Sequence, residues 1–311
     1  MAVSDSFVVP VICGPTASGK TSAALRVARS SAIEIISADS RQLYRDFDIG
    51  TAKPTPAERA AVPHHGIDDL EPTERASAAW WADQADGWIR GILARGRVPL
   101  VVGGTGLYLR ALFGALFDEP PMDPARRHAL QGELAHLDTS ELRRRVQLLD
   151  PDRAHLGRTQ LLRAIEVALL TGRRLSELQR ERATMPRWRA RYLVLDPGPS
   201  LAGVIAARTR AMFDAGWREE VRRLMVSVAD DAPAWNASGY RVVRQLERGM
   251  LSPEAAMERV IIETRQYAKR QRTWFRHQLA DEDVTRVDPR ATDFDEALPA
   301  WWDSGAGEAS S

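Results

Sequence analysis

The sequence predicts an α/β fold in which a parallel sheet carries crossover helices, with a mostly helical insertion and a helical C-terminal part. Three observations carry that expectation. The apolar run 7–13 leads directly into Gly14-Pro15-Thr16-Ala17-Ser18-Gly19-Lys20-Thr21, and a helix-compatible stretch follows from Ala23 to Arg29. Short apolar runs then alternate with helical stretches through the first third of the chain, as in strands joined by crossovers. After Leu116 the alternation stops, and residues 126–182 are rich in charge with apolar residues at helical spacing.

Strands are expected at 7–13, 33–37 and 98–102, with helices beginning near Gly19, Ala76 and Gly106. A ligand site in such a sheet lies beyond the carboxyl ends of the strands. Three polar clusters fall there: the loop at Gly14, the segment Asp39-Ser40-Arg41-Gln42, and Gly103-Gly104-Thr105-Gly106. Asp118-Glu119-Pro120-Pro121 breaks the pattern and opens the helical insertion, which closes near Pro186. The run 191–195 returns the chain to the sheet, and helices follow over 201–215, 219–226, 238–249 and 253–279. Ser252-Pro253-Glu254 opens the last of them, a cap with proline at the first helical position. The expected organisation is a catalytic core over 1–116 and 187–290, the insertion over 117–186 and a C-terminal tail over 291–311, frayed at its small polar end.

Composition bounds the function. With 311 residues, 44% hydrophobic and 27% charged, the chain has the make-up of an ordinary soluble globule. A net charge of +1 means that a nucleic acid must be held by a local patch. The single cysteine, Cys13, allows neither an internal disulfide nor a cysteine-built zinc cluster. No signal-peptide pattern and no run of 18 apolar residues occurs, so a cytoplasmic protein with no membrane association is expected.

Gly14 to Thr21 follows the spacing G-x-x-x-x-G-K-[ST] and marks a phosphorylated ligand. Glycines let the backbone wrap an anion at a helix N-terminus. Lys20 adds an ammonium for the terminal phosphate, and the Thr21 hydroxyl is suited to the shell of Mg²⁺. The loop does not distinguish a nucleoside triphosphate from a diphosphate ester.

Asp39 stands two residues after an expected strand, where a carboxylate can bind metal, accept a proton or simply cap a helix. Thr105, after two glycines, can donate to a phosphate or serve as an N-cap. Arg265, Lys269, Arg272 and Arg276 recur at intervals of four, three and four, with Arg270 beside them, and form a cationic stripe suited to an RNA or DNA backbone. The basic residues around Arg158 and Arg163 are interleaved with acids and carry a weaker signal. His64 and His65 are adjacent, and adjacent side chains do not converge easily on one metal.

Taken together, GPTASGKT (14–21), DSRQLYRDFDIGTAKP (39–54), PHHGIDDLEP (63–72), VVGGTGLYLRAL (101–112), SGYRVV (238–243) and TRQYAKRQRTWFR (264–276) resemble the bacterial tRNA dimethylallyltransferases, also called tRNA isopentenyltransferases. The resemblance implies an α/β core related to P-loop kinases and a helical insertion that grips the anticodon arm. It implies transfer of the dimethylallyl group of dimethylallyl diphosphate to N6 of adenosine 37 in tRNAs that read codons beginning with U. Mg²⁺ assists, ATP is not consumed, and no stable protein partner is implied. The family's base falls on Asp39, its threonine beside the diphosphate and target nucleotide on Thr105, and its diphosphate-binding arginine on Arg208, which joins the loop residues Gly14, Pro15, Thr16, Ala17, Ser18, Gly19, Lys20 and Thr21.

By the same resemblance, tRNA contacts fall on Asp39, Ser40, Arg41, Gln42, Thr105, Arg127, Gln160, Arg163, Ser238, Gly239, Tyr240 and Arg241, and on Arg265, Lys269, Arg270, Arg272 and Arg276. One departure stands out. The family usually has an acidic-x-x-Arg arrangement before Arg-Ala-[Leu/Ile]-Glu; here Gly157-Arg158-Thr159-Gln160 precedes Leu161-Leu162-Arg163-Ala164-Ile165-Glu166, with Gln160 in the usual place of the arginine. The cysteine and histidine zinc module of many eukaryotic members is absent. A small-molecule kinase would leave the basic stripe unexplained, a GTPase would need an Asn-Lys-x-Asp motif that the chain lacks, and a pure RNA binder would have no use for a carboxylate facing a diphosphate cradle.

Overall fold

The computed structural model describes residues 7–114, 122–181, 186–279 and 283–305. The expected interruption at 118–121 and the tail residues 306–311 lie outside these. The chain divides into two compact units, Met1–Phe113 with Arg187–Ser311, and Gly114–Pro186.

The larger unit is built on six strands: β1 (Val8–Cys13), β2 (Ile33–Ala38), β3 (His64–His65), β4 (Val98–Gly103), β5 (Arg189–Leu195) and β6 (Val284–Val287). Their order is β3-β2-β4-β1-β5-β6, and every pairing is parallel. All carboxyl ends therefore share one edge of the sheet. β1 lies between β4 and β5, so the loop that leaves it opens between the ends of its two neighbours. β2 is buried along its whole length, as expected of a parallel strand covered on both faces.

Four helices accompany the first strands: α1 (Lys20–Ala28), α2 (Pro56–Ala61), α3 (Ala78–Ala94) and α4 (Gly106–Phe113). The smaller unit holds α5 (Pro124–Ala135), α6 (Thr139–Leu149), α7 (Arg158–Thr171) and α8 (Leu175–Glu181). Its own core gathers Leu134, Leu142, Val146, Leu161, Ala164 and Ile165. The larger unit then adds α9 (Leu201–Asp214), α10 (Trp217–Ser227), α11 (Tyr240–Glu247), α12 (Pro253–Gln278) and α13 (Phe294–Ser304).

The start of α12 follows its sequence signal: the Ser252 side chain accepts from Ala255 N–H and Pro253 occupies the first turn. Four elements were not expected, the six-residue α2 among them. β3 and β6 are two and four residues long at the sheet edges, too short for a two-residue alternation to register. α13 lies within the segment expected as a tail; it brings Phe294, Leu298 and Trp301 into the cluster formed by Ala23, Ala24 and Val27 of α1 and by strand residues such as Ile12 and Leu193. Pro299 inside α13 masks the helical pattern in the sequence.

Candidate active site

The loop between β1 and α1 wraps back on itself. Gly14 takes φ 147°, and a Cβ there would lie 2.3 Å from the Leu195 carbonyl oxygen, so no other residue fits without moving β5. Lys20 Nζ donates to the Gly14 and Pro15 carbonyls at 3.1 and 2.7 Å. Burial pulls this ammonium down to about 8; the Asp39 carboxylate opposes the shift and Arg208 adds to it. Ala17, at the apex, holds a left-handed φ of 63°. The buried Ser18 hydroxyl has no hydrogen-bond partner in the described structure. The loop thus carries a spare donor and a strained apex, both features of a backbone shaped for an anion.

Asp39 follows β2 and accepts from Arg41 N–H at 2.9 Å through one carboxylate oxygen. Thr105, beyond β4, donates its N–H to the Ala38 carbonyl at 3.0 Å and accepts from Ser40 N–H at 3.1 Å through its hydroxyl. The ends of β2 and β4 are therefore locked together. Tyr267 of α12 is hydrogen-bonded to Thr105, and burial holds its phenol up to about 12, neutral across the physiological range.

A cleft of about 590 Å³, open to solvent, brings Thr16 and Ala17 of the loop together with Asp39, Arg41, Arg208, Ser238, Thr264 and Tyr267. Its apolar wall is formed by Ile205, Met212, Trp217 and Val260. Burial lowers the pKa of the Arg208 guanidinium, with the Asp39 carboxylate opposing that shift. A second cleft, about 390 Å³, is lined by Lys20, Thr21, Ser37, Asp39, Gln42 and His64. Asp39 is common to both. The arrangement accommodates a ligand with an anionic head and a short apolar portion, and it places a carboxylate beside that ligand.

A Mg²⁺ ion fits this donor set in one way. Among the described residues no group of three or more His, Cys, Asp or Glu side chains converges. The crevice does offer the Thr21 hydroxyl and the Asp39 carboxylate, hard oxygen donors that suit Mg²⁺ when a diphosphate and water complete the shell. The histidines are engaged otherwise: His64 Nδ1 donates to Val62 O at 2.8 Å, and His65 Nε2 pairs with Glu34 at 2.7 Å.

The remaining sequence-derived candidates divide by what they bind within the chain. Gln42 accepts from the Ser37 hydroxyl at 2.9 Å and donates to the Ala52 carbonyl at 3.1 Å, bracing the loop that follows. Ser238 and Gly239 precede α11, where Gly239 is the N-cap, and Arg241 donates to Asn236. Tyr240 has no exposed surface, and its hydroxyl donates to Glu220 at 2.5 Å while accepting from Gly50 N–H at 3.1 Å. A direct RNA contact by its side chain is therefore corrected to a buried bracing role, imposed by the packing of Phe47, Trp217 and Trp235 around it.

On α12, Arg265 donates to Ala202 O at 3.3 Å, Arg272 pairs with Asp196 at 2.8 Å and Arg270 stacks over Tyr267. Lys269, Arg270 and Arg276 are exposed. The even stripe expected from spacing is thus interrupted at Arg272 by a carboxylate from the end of β5, a partner 76 residues away.

In the smaller unit, Glu166 accepts from Arg127 at 3.1 Å, Arg163 at 2.7 Å and Gln131 at 2.8 Å. Burial raises the Glu166 pKa, but these partners outweigh it and the net shift is downward. Gln160 accepts from Gly157 N–H at 3.1 Å and so caps α7. Arg158 donates to the Ala135 and Leu137 carbonyls at the end of α5. The Gly157-to-Gln160 departure thereby acquires a local role, one residue capping the start of a helix and the other the end of its neighbour.

Sequence reasoning missed Gln271, which binds both the β1 and the β4 loops. A signal was present: Thr264, Ala268, Gln271 and Phe275 share one stripe, and a glutamine among them is a polar group on an inward face.

A family model described as IPP transferase matches residues 42–278, and one described as Isopentenyl transferase matches 7–65. The chain is 46% identical over 272 residues to a tRNA dimethylallyltransferase of Anaeromyxobacter sp. (strain K), covering 86% of this chain and 89% of that one. It is 40% identical over 282 residues to the Deinococcus radiodurans tRNA dimethylallyltransferase, covering 88% and 91%. Among solved structures it resembles the full-length tRNA isopentenylpyrophosphate transferase of Bacillus halodurans, with a TM-score of 0.70, 31% identity and coverage of 97% and 96%. It also resembles a eukaryotic dimethylallyltransferase acting on tRNA, with a TM-score of 0.75, 26% identity and coverage of 98% and 77%.

Proposed function

The chain belongs to the IPP transferase family of tRNA dimethylallyltransferases, and on that premise we propose how its own residues carry the reaction. The enzyme transfers the dimethylallyl group of dimethylallyl diphosphate to N6 of adenosine 37 in tRNAs that read codons beginning with U. Diphosphate is released. The observation that supports this assignment of residues is the single cleft shared by Thr16, Ala17, Asp39 and Arg208.

The diphosphate sits against Gly14 to Thr21, with Lys20 and Arg208 as its cations. The C1–O bond of the donor breaks and its electron pair leaves on diphosphate. The N6 lone pair forms the new bond to C1, and Asp39 takes the N6 proton as that bond forms. Adenine N6 is a weak nucleophile because its lone pair is delocalised, so a carboxylate in reach of its proton lowers the barrier. Thr105 directs its hydroxyl toward the departing oxygens, and backbone N–H groups of the loop stabilise the charge that grows there. Thr21 and the diphosphate oxygens would hold Mg²⁺, which supplies further charge neutralisation. The target base leaves a loop stack rather than a duplex, which lowers the cost of extrusion.

The exposed cations of α12 and the 117–186 insertion are assigned to the tRNA backbone. No helix among the described residues is long and apolar enough to cross a membrane; the tRNA substrate is the ground on which the reaction is assigned to the cytoplasm.

The test is transfer of labelled dimethylallyl to an anticodon stem-loop with adenosine at positions 36 to 38, beside the same loop carrying guanosine at 37 and an ATP-hydrolysis control. Label entering only the loop with adenosine 37 is expected. ADP formation from ATP that depends on an added small acceptor, without prenyl transfer, would overturn the reading in favour of a kinase.

A further inference from the structure

Gln271 is a buried polar side chain that the mechanism above leaves unused. It is 7% exposed and lies on α12 one turn beyond Tyr267. Its Oε1 accepts from Thr16 N–H at 2.8 Å and its Nε2 donates to Gly104 O at 2.8 Å. An N–H on one side and a carbonyl on the other fix which end of the amide is oxygen. One side chain therefore ties the loop after β1 to the turn after β4, from a helix outside the sheet.

The fit is close on both sides. A Cβ on Gly104 would stand 2.5 Å from Gln271 Nε2, so the turn approaches the amide only because it has none. Ala17 follows Thr16 and occupies the left-handed apex of the phosphate loop, and Thr105 follows Gly104. The α12 anchor does not need this amide, since Ala268 and Phe275 on the same stripe are already buried at 2% and 1% exposure. A glutamine at such a position costs desolvation that leucine would not, and the pairs it makes are the return on that cost.

From this geometry we infer that Gln271 is a positioning residue, holding the Pro15–Thr16 peptide and the Gly104–Thr105 turn in the one relative placement where the anion cradle and the Thr105 hydroxyl meet the same diphosphate. The inference rests on the proposed reaction and deepens it. Without the bridge the two loops shift independently, and a displacement on the order of 1 Å between reacting groups can cost about 100-fold in rate.

The test uses the full chain and two variants. Gln271→Met keeps length and volume but removes both hydrogen bonds; Gln271→Glu keeps an oxygen for Thr16 and loses the donor to Gly104. The readouts are calorimetric affinity for inorganic diphosphate, affinity for the anticodon stem-loop, kcat and KM for prenyl transfer, and exchange protection of the Thr16 amide. For Gln271→Met we expect at least a tenfold loss in diphosphate affinity and in kcat, loss of Thr16 protection, and stem-loop affinity within twofold of wild type. For Gln271→Glu, Thr16 stays protected while kcat falls.

Unchanged kcat and diphosphate affinity in Gln271→Met overturn the inference whatever happens to thermal stability. A loss of stem-loop affinity equal to the loss for diphosphate also overturns it, and makes Gln271 an RNA contact. If the Met variant does not fold, an unchanged kcat in Gln271→Glu overturns it in the same way. Absence of transfer by the wild type would defeat the proposed reaction, while the diphosphate and exchange measurements would still judge Gln271.

Discussion

Lys20 turns its ammonium onto the Pro15 carbonyl at 2.7 Å, inside the loop that it is meant to serve. Burial pulls its pKa to about 8, below the ordinary lysine value of 10.5. Below pH 8 the group is charged both in the free protein and in the unfolded chain, and the full burial penalty is present. Between about 8 and 10.5 the folded form is neutral while the unfolded chain still holds its proton, so the penalty fades as pH rises.

Ligand binding runs the other way, because a diphosphate favours the ammonium. Affinity for inorganic diphosphate is expected to weaken as pH rises above about 8, with proton uptake on binding. Calorimetry in buffers of different ionisation enthalpy measures both. Lys20→Arg should remove this part of the pH dependence, and a flat wild-type profile from pH 7 to 10 would sink the account.

Asp39→Asn retains size and an acceptor oxygen while losing the capacity to take a proton. Turnover is expected to fall by roughly 100-fold or more, with stem-loop affinity within about threefold of wild type as our threshold for intact RNA binding. Single-turnover transfer measured beside filter binding separates the two. Near-normal transfer would remove Asp39 from the role of base.

Lys269→Ala with Arg276→Ala takes two exposed cations from α12 without disturbing the pair between Arg272 and Asp196. The tRNA KM should rise and the slope of log affinity against log salt should flatten by about 1.4, the value for two contacts to single-stranded backbone. An unchanged slope would return this face to ordinary solvation. Arg272→Ala is expected to behave differently, leaving Asp196 unpaired near the phosphate loop and weakening diphosphate binding.

Tyr240→Phe removes a donor to the buried Glu220 and an acceptor for Gly50 N–H. Glu220 also accepts from the Asp48 and Ile49 N–H groups at 3.1 and 2.8 Å, so this carboxylate organises the whole 48–50 turn. The variant should lose about 1–3 kcal/mol of stability and keep its stem-loop affinity. A denaturant midpoint at the wild-type value with weakened RNA binding would restore Tyr240 as an RNA contact.

The signals legible in the sequence were local. Gly14 to Thr21 sits between an apolar run and a helix, and the observed β1 and α1 flank it. Ser252-Pro253 predicted the start of α12 because a cap depends on neighbours three residues away. The edge strands β3 and β6 escaped because two and four residues carry too little pattern, and α13 escaped because Pro299 interrupts it.

Among the site residues, Asp39, Thr105 and Arg208 could be named from motifs, whereas Gln271 and Glu220 could not. Each of the latter acts on backbone groups more than 160 residues away.

By itself, then, the sequence determined the phosphate loop, the order of the longer strands and helices as far as α12 and the family, since these rest on short-range spacing and on motifs read one after another. Only the tertiary structure decided which cations remain free on α12, which candidates are committed to Glu166 or to helix caps, and that a glutamine binds two loops together. The reason is physical. A charge or an amide is spent on whichever partner the fold brings within about 3 Å, and that partner is set by the path of the chain through the sheet rather than by its neighbours in sequence.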